Sequence, residues 1–326
     1  MKNLNTRALV EASLLVALAA VIMLLSAYVP FFILVGVIIW PIPITLLTFK
    51  YDLKVSILSM TALLILVSGL IDPYSAFTMG LMYGIPAIVL GFCLKKKYTP
   101  FTTVVAMSIT MFLAYIAIIQ FGAMLMGMDV LKEYFTSLEM TKEMAREMYI
   151  KFGMDASQVD QVLDQGLNPE QIRMLLPGLF AITALFGSYM NYYVVGQIFK
   201  RLRIDIVRLS PIEEWYIGRN LSFGLFFTFA VTGILYYFKV PNSDMVFNSM
   251  YMIFSLSFIV NGLAVVVWYI KSKVLSRKIR AIIYCGMVLY IPLLSQVFLI
   301  VGLVDYLFDF RKINLSRWGG RIPPGE

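Results

Sequence analysis

The chain of 326 residues contains no histidine, only two cysteines, and charge at just 14% of its positions. Each shortage excludes something. Without histidine, the commonest metal ligand and the one side chain that titrates near neutrality are both missing, so imidazole-based zinc or acid–base chemistry has no means. Cys93 and Cys285 stand apart inside apolar runs, which argues against a disulfide framework. Neither a G-x-x-x-x-G-K-[ST] loop nor a G-x-G-x-x-G turn occurs, so ATP-driven work needs another subunit. The scarcity of charge goes with 60% hydrophobic residues and a mean hydropathy of +0.83. Water is not the main solvent of such a chain.

What the chain has in abundance is long apolar runs, at 9–28, 31–49, 55–71, 74–94, 101–127, 175–199, 220–238 and 246–270. Runs of about 17 to 28 residues suffice, at 1.5 Å per residue, to cross a hydrocarbon core of roughly 30 Å. The expectation is an all-α fold, a polytopic membrane helix bundle with eight full spans and a further hydrophobic segment at 281–308. The first run follows Lys2 and Arg7 as in a signal peptide, but its length and the spans after it predict an uncleaved helix.

Basic residues gather at Lys2/Arg7, Lys50/Lys54, Lys95 to Lys97, Lys200/Arg201/Arg203/Arg208 and Lys271/Lys273/Arg277/Lys278/Arg280. These are alternate connections, and the positive-inside rule puts them and the N-terminus in the cytoplasm of a multi-pass protein of the cell (inner) membrane. The lipid bilayer is therefore the first partner. Nucleic acid is excluded, because bases beside membrane helices are already explained by topology and anionic lipid. A single crossing at 281–308 would carry Arg311, Lys312, Arg317 and Arg321 outside. Pro292 interrupts that run, leaving a hairpin and a kinked ninth helix as alternatives.

Residues 128–173 hold nine acids and five bases, a net charge of −4 that leaves +12 on the rest of the chain. Here Leu131, Tyr134, Phe135, Leu138, Ala145, Met148 and Phe152 recur at three- and four-residue steps, which predicts an amphipathic helix. Gly153 ends it, Asp155 starts a short second helix, and Asn168-Pro169-Glu170 caps the next span. On this topology the segment is extracytoplasmic, either a cap on the bundle or a lid over a pocket.

Polar side chains at bilayer depth turn inward, toward a partner or a pathway. Glu11 lies one turn past Arg7, an i,i+4 pair. Asp72, Tyr74, Tyr83 and Gln120 fall toward the outer half, and Tyr189 and Asn191 belong to a polar run in the sixth span. Ala8 and Ala12, like Gly80 and Gly84, give small-x-x-x-small spacing, which lets helix backbones approach closely.

The opening Arg7-Ala8-Leu9-Val10-Glu11-Ala12, the Pro30 turn, and the ending Gly302-Leu303-Val304-Asp305-Tyr306-Leu307-Phe308-Asp309-Phe310-Arg311-Lys312 resemble the YybS family of bacterial membrane proteins. More distantly, the chain is similar to the substrate-binding S components of energy-coupling-factor transporters. That likeness implies a six-helix module at 1–205, with 128–173 inserted, and an extension at 206–326 ending in a basic tail. It also implies capture of a small solute near the outer face, by Asp72, Tyr74, Tyr83, Gln120, Tyr189 and Asn191. Ala8 and Ala12 would dock a membrane-embedded coupling subunit served by ATPases. The rival expectation is a non-transporting scaffold or regulator working through its 200–219 loop and its tail. Enzymatic activity ranks below both, since nothing resembles a catalytic constellation, and no cofactor is implied.

Overall fold

The structure is a computed structural model, and it describes residues 6–127, 129–166, 168–273 and 276–312. Among them the regular secondary structure is all helix. The order is α1 (Thr6–Tyr28), a 3-10 turn at Pro30–Phe32, α2 (Ile33–Ile39), α3 (Pro41–Lys50), α4 (Leu53–Leu70), α5 (Pro73–Met79), a π turn at Gly80–Gly84 and α6 (Ile85–Lys95). There follow α7 (Pro100–Met126), α8 (Val130–Lys151), α9 (Ala156–Gly166), α10 (Pro169–Arg201), a 3-10 turn at Ile212–Glu214, α11 (Arg219–Tyr237), α12 (Ser243–Lys273) and α13 (Arg277–Phe308). Seven helical stretches are long and apolar enough to cross a membrane, and Val35–Lys50 and Leu293–Phe308 are shorter apolar helices.

Proline places many of these boundaries. Pro41, Pro73, Pro100 and Pro169 each sit in the first two positions of a helix, where the missing N–H costs nothing. The expected second span, 31–49, is therefore not one helix: Pro41 and Pro43 divide it at Trp40, which is fully buried. In the expected span 74–94 the ring of Pro86 would strike the preceding turn. The chain widens there into the π turn, and Ile85 N–H donates to Gly80 O, five residues back.

The described residues fall into two compact units, those within 6–172 and 180–209, and those within 173–179 and 210–312. In the first unit, Ala12, Ala19, Met23, Trp40, Leu63 and Val67 form one buried cluster, and Ile42, Leu90, Met107, Tyr192 and Phe199 another. Gly80 and Gly84 are used inside this unit. A Cβ on Gly84 would lie 1.9 Å from Met60 Cε, and one on Gly80 2.7 Å from Leu64 Cδ2.

The acidic segment folds as its pattern predicts. Asp129 accepts from Lys132 N–H, Gly153 at φ +85° stops the chain after α8, and Asn168 accepts from the N–H groups of Glu170 and Gln171. The helices α8 and α9 pair through Lys142–Asp164 at 2.6 Å and Arg146–Asp160 at 2.7 Å, with Val159 and Leu163 buried.

In the second unit, Leu225, Phe254 and Phe258 make the core with Ile217. The helix α13 extends from Arg277 to Phe308, and Arg311 just beyond it reaches the same 213–215 turn as Lys271 at the end of α12. The second half of α13 packs against α12 through two glycines. A Cβ on Gly262 would lie 1.9 Å from Phe298 O, and one on Gly302 2.0 Å from Phe258 O.

Candidate functional site

The residues expected to bind a solute take separate local roles. Asp72 is the N-cap of α5 and accepts from Ser75 N–H at 2.8 Å. Hydrogen bonding from Ser75, the largest cause, holds its carboxyl below the usual carboxylate range. Tyr74 is half-buried two residues on, and Gln120 is exposed near the end of α7. Tyr83 packs edge-on against Trp40, with ring centroids 6.2 Å apart. Tyr189 lies against the buried cluster of Tyr192 and Phe199. Asn191 donates to Gly187 O at 3.0 Å, while its buried Oδ1 has no hydrogen-bond partner among the described residues.

Of the two docking alanines, Ala12 is only 6% exposed and belongs to the first unit's own core. A partner helix could reach its methyl group only by opening that core. The side chain of Ala8 lies outside the described residues, as does that of Arg7. Glu11, expected beside Arg7, pairs with Lys50 and accepts from Tyr51 OH at 2.6 Å. Arg317 and Arg321 also lie outside the described residues.

At the far end of α10 from the acidic segment, the chain turns back on itself and forms a cavity open to one side, with Lys200, Arg203, Asp205 and Arg208 exposed. Arg203 at φ +58° makes the turn. The segment 203–209 then runs back beside α10, with Ile204, Ile206 and Leu209 against the buried cluster and Tyr192 OH donating to Val207 O at 2.5 Å. The cavity measures about 390 Å³ and is lined by Tyr193, Gln197, Lys200, Arg203, Asp205 and Arg208, among others. That falls within the roughly 300–1,000 Å³ of small-molecule sites. None of the three cations forms a salt bridge with a described residue. A second concavity, about 600 Å³, lies at the turn Tyr236–Asp244, but its one lysine, Lys239, is balanced by Asp244.

The second unit holds a different arrangement, missed by sequence reasoning. Arg311, expected in a solvated tail, is 7% exposed. Asp309 at φ +46° ends α13 and reverses the chain, a backbone region that aspartate tolerates. The guanidinium returns to donate from Nε and Nη2 to Asp305 Oδ2 at 3.2 and 2.9 Å, and from Nη2 to Asn261 Oδ1 at 2.9 Å. Its Nη1 donates to the carbonyl oxygens of Glu213 and Trp215 at 3.0 and 2.7 Å. Five bonds match the five donors of a guanidinium. Asn261 also donates to Gly302 O at 2.9 Å. Glu213 pairs with Lys271, whose hydrogen bond is the main cause holding its carboxyl below the ordinary range. The signal in the sequence was the placing of Arg311 six residues after Asp305, beyond one helix end.

The model of a family described as a predicted membrane protein, DUF2232, matches residues 17–306. The chain belongs to that family. It is similar to the uncharacterized protein YybS of Bacillus subtilis (strain 168), with 23% identity over 315 residues covering 94% of this chain and 98% of the relative. No solved structure matches it. The family and the relative support a multi-pass membrane protein in the bilayer, and neither carries the distant likeness to S components.

Proposed function

We propose that this membrane protein is a binding component for a small anionic solute, held in the cavity between α10 and residues 203–209. The observation that carries the reading is the set of three cations around that cavity without a carboxylate in salt-bridge contact among the described residues. Cations left unpaired around a concavity attract an anion and raise its local concentration. The solute site thus moves from the expected residues to the basic end of the chain, which the positive-inside rule makes cytoplasmic. Uptake is a further step of the same reading. With no nucleotide-binding loop in the chain, it needs a coupling subunit and ATPases, and the burial of Ala12 directs any docking to another surface. The role is binding and not catalysis.

The test is thermal unfolding of the purified protein with panels of anionic, neutral and cationic solutes. An anion at one hundred times its Kd stabilises the folded state by about 2.7 kcal/mol. No stabilisation by any anion would sink the reading.

A second reading, a scaffold or regulator, is favoured by Arg311. A buried guanidinium that grips the backbone of Glu213 and Trp215 holds the segment 210–218 in one shape, as a recognition surface requires. Under that reading, loosening the segment by Arg311→Ala disturbs cellular function while leaving anion binding at the α10 cavity intact.

A further inference from the structure

Building on the anion-binding reading and resting on it, we infer that the cavity between α10 and residues 203–209 receives a phosphate ester, carried by a lipid headgroup or by a soluble molecule.

Charge points to phosphate first. Lys200, Arg203 and Arg208 face one acid, Asp205, on the lining, a surplus of two positive charges. A phosphate monoester carries about −1.5 to −2 at neutral pH, whereas a simple carboxylate carries one. Donor geometry points the same way. Two guanidinium groups present planar forks that match phosphate oxygens in pairs, and an ammonium adds a point charge. Tyr193 and Gln197 on the same lining supply neutral donors.

The helix end does not oppose an anion here. The C-terminal end of a helix carries partial negative charge that repels anions, but the last carbonyl groups of α10 are already engaged by the chain's own reversal. Leu202 N–H donates to Ile198 O at 2.9 Å, Ile204 N–H to Phe199 O at 2.8 Å and Arg203 N–H to Lys200 O at 3.2 Å. The cations are thus left to set the sign of the site. The wall is also held in place, since Tyr192 is 2% exposed and its hydroxyl grips Val207 O. A volume of about 390 Å³ exceeds a bare phosphate and leaves room for the alcohol it esterifies.

The experiment has a soluble arm and a lipid arm, both on the full chain. In neutral detergent, binding of glycerol 3-phosphate is compared with that of succinate, a dicarboxylate of like charge, by calorimetry. In phosphatidylcholine nanodiscs with and without phosphatidic acid, retained lipid is read by native mass spectrometry. A soluble ester predicts glycerol 3-phosphate binding at least tenfold tighter than succinate. A headgroup predicts phosphatidic acid retained by the wild type while glycerol 3-phosphate binds weakly. In either arm, Arg203→Gln with Arg208→Gln weakens binding at least tenfold at an unchanged helical circular dichroism spectrum. Should that variant fold poorly, Asp205→Asn, which removes the opposing charge, strengthens binding several-fold. Succinate binding as tightly as glycerol 3-phosphate, with no lipid retained, overturns the phosphate assignment and leaves anion binding standing. Absence of any anion from both arms overturns the two together.

Discussion

Arg311 Nη2 lies 2.9 Å from Asp305 Oδ2, and the two side chains are 1% and 5% exposed. A pair so buried gains little net stability from existing, because desolvating both charges offsets their attraction. Breaking it is another matter, since the surviving charge stays buried alone. Arg311→Ala strands Asp305 and removes the donors to Glu213 O and Trp215 O, so it is expected to cost about 3–5 kcal/mol. The double replacement Arg311→Met with Asp305→Leu is expected to recover most of that loss. Unfolding midpoints in detergent measure both, and Trp215 fluorescence reports the segment directly. An Arg311→Ala midpoint equal to wild type, with unchanged fluorescence, would refute the buried pairing.

The crossing of α12 and α13 depends on two missing side chains. Small residues let helix backbones approach where lipid tails supply no hydrophobic drive of their own. A Cβ at Gly262 or Gly302 would stand within about 2 Å of a backbone carbonyl oxygen, a contact that no rotamer relieves. Gly262→Ala and Gly302→Ala are each expected to force the helices apart and lose at least about 2 kcal/mol, in the upper range for single substitutions. Gly224→Ala in α11 is the control. Nothing lies within 4 Å of its Cβ, and the gain in helix propensity predicts about 1 kcal/mol of stabilisation. Equal effects at all three positions would mean that the close crossing does not form.

The α8–α9 hairpin should respond to pH at both extremes. The hydrogen bond from Arg146 is the main cause that lowers the Asp160 carboxyl, and the one to Asp164 is the main cause that raises the Lys142 ammonium. For a lowered carboxyl, stability is present above the unfolded pKa of roughly 3.9 and fades as pH falls through the lower folded value. For a raised ammonium, it is present below about 10.4 and fades as pH rises through the higher folded value. Amide exchange in α9 is therefore expected to be slowest, after correction for the intrinsic rate, on a plateau between these limits. Both groups are reached by solvent, so high salt shrinks the effect. Arg146→Asp should flatten the acid limb, and Arg146→Asp with Asp160→Arg should restore the protection.

Helix starts and the acidic hairpin were legible because their causes are local. Asn168-Pro169-Glu170 and the three- and four-residue spacing of Leu131, Tyr134 and Leu138 carry their own geometry. The break at Trp40 was signalled by Pro41 and Pro43, yet an apolar run of spanning length concealed it. Arg311 was not legible as a buried residue, since composition sends a basic residue after the last apolar run to solvent. Only tertiary structure brings Asp305, Asn261 and two carbonyl groups from the 213–215 turn to meet it. The basic cavity was half legible. Lys200, Arg203 and Arg208 stood out as a topology signal, but their gathering around one open cavity depends on the return of the chain that the hydrogen bond from Tyr192 to Val207, 15 residues away, holds in place.

Orientation follows from charge and can be measured by side-specific labelling. The basic clusters Lys95–Lys97 and Lys200/Arg201/Arg203/Arg208, at alternate connections on either side of residues 128–173, predict that the acidic segment faces outward and Lys95–Lys97 inward. Cys93 is buried but Cys285 is exposed, so both are first replaced by alanine. Single cysteines then go at Ser157 in α9 and Lys96 after α6, both exposed positions. A membrane-impermeant maleimide added to intact cells is expected to label Ser157→Cys, and to reach Lys96→Cys only after permeabilisation. The reverse pattern would turn the topology over and put the basic cavity outside. Labelling of both from one side would mean that α7, the helix between them, does not cross the bilayer, and the alternation of basic connections would then lose its explanation by topology.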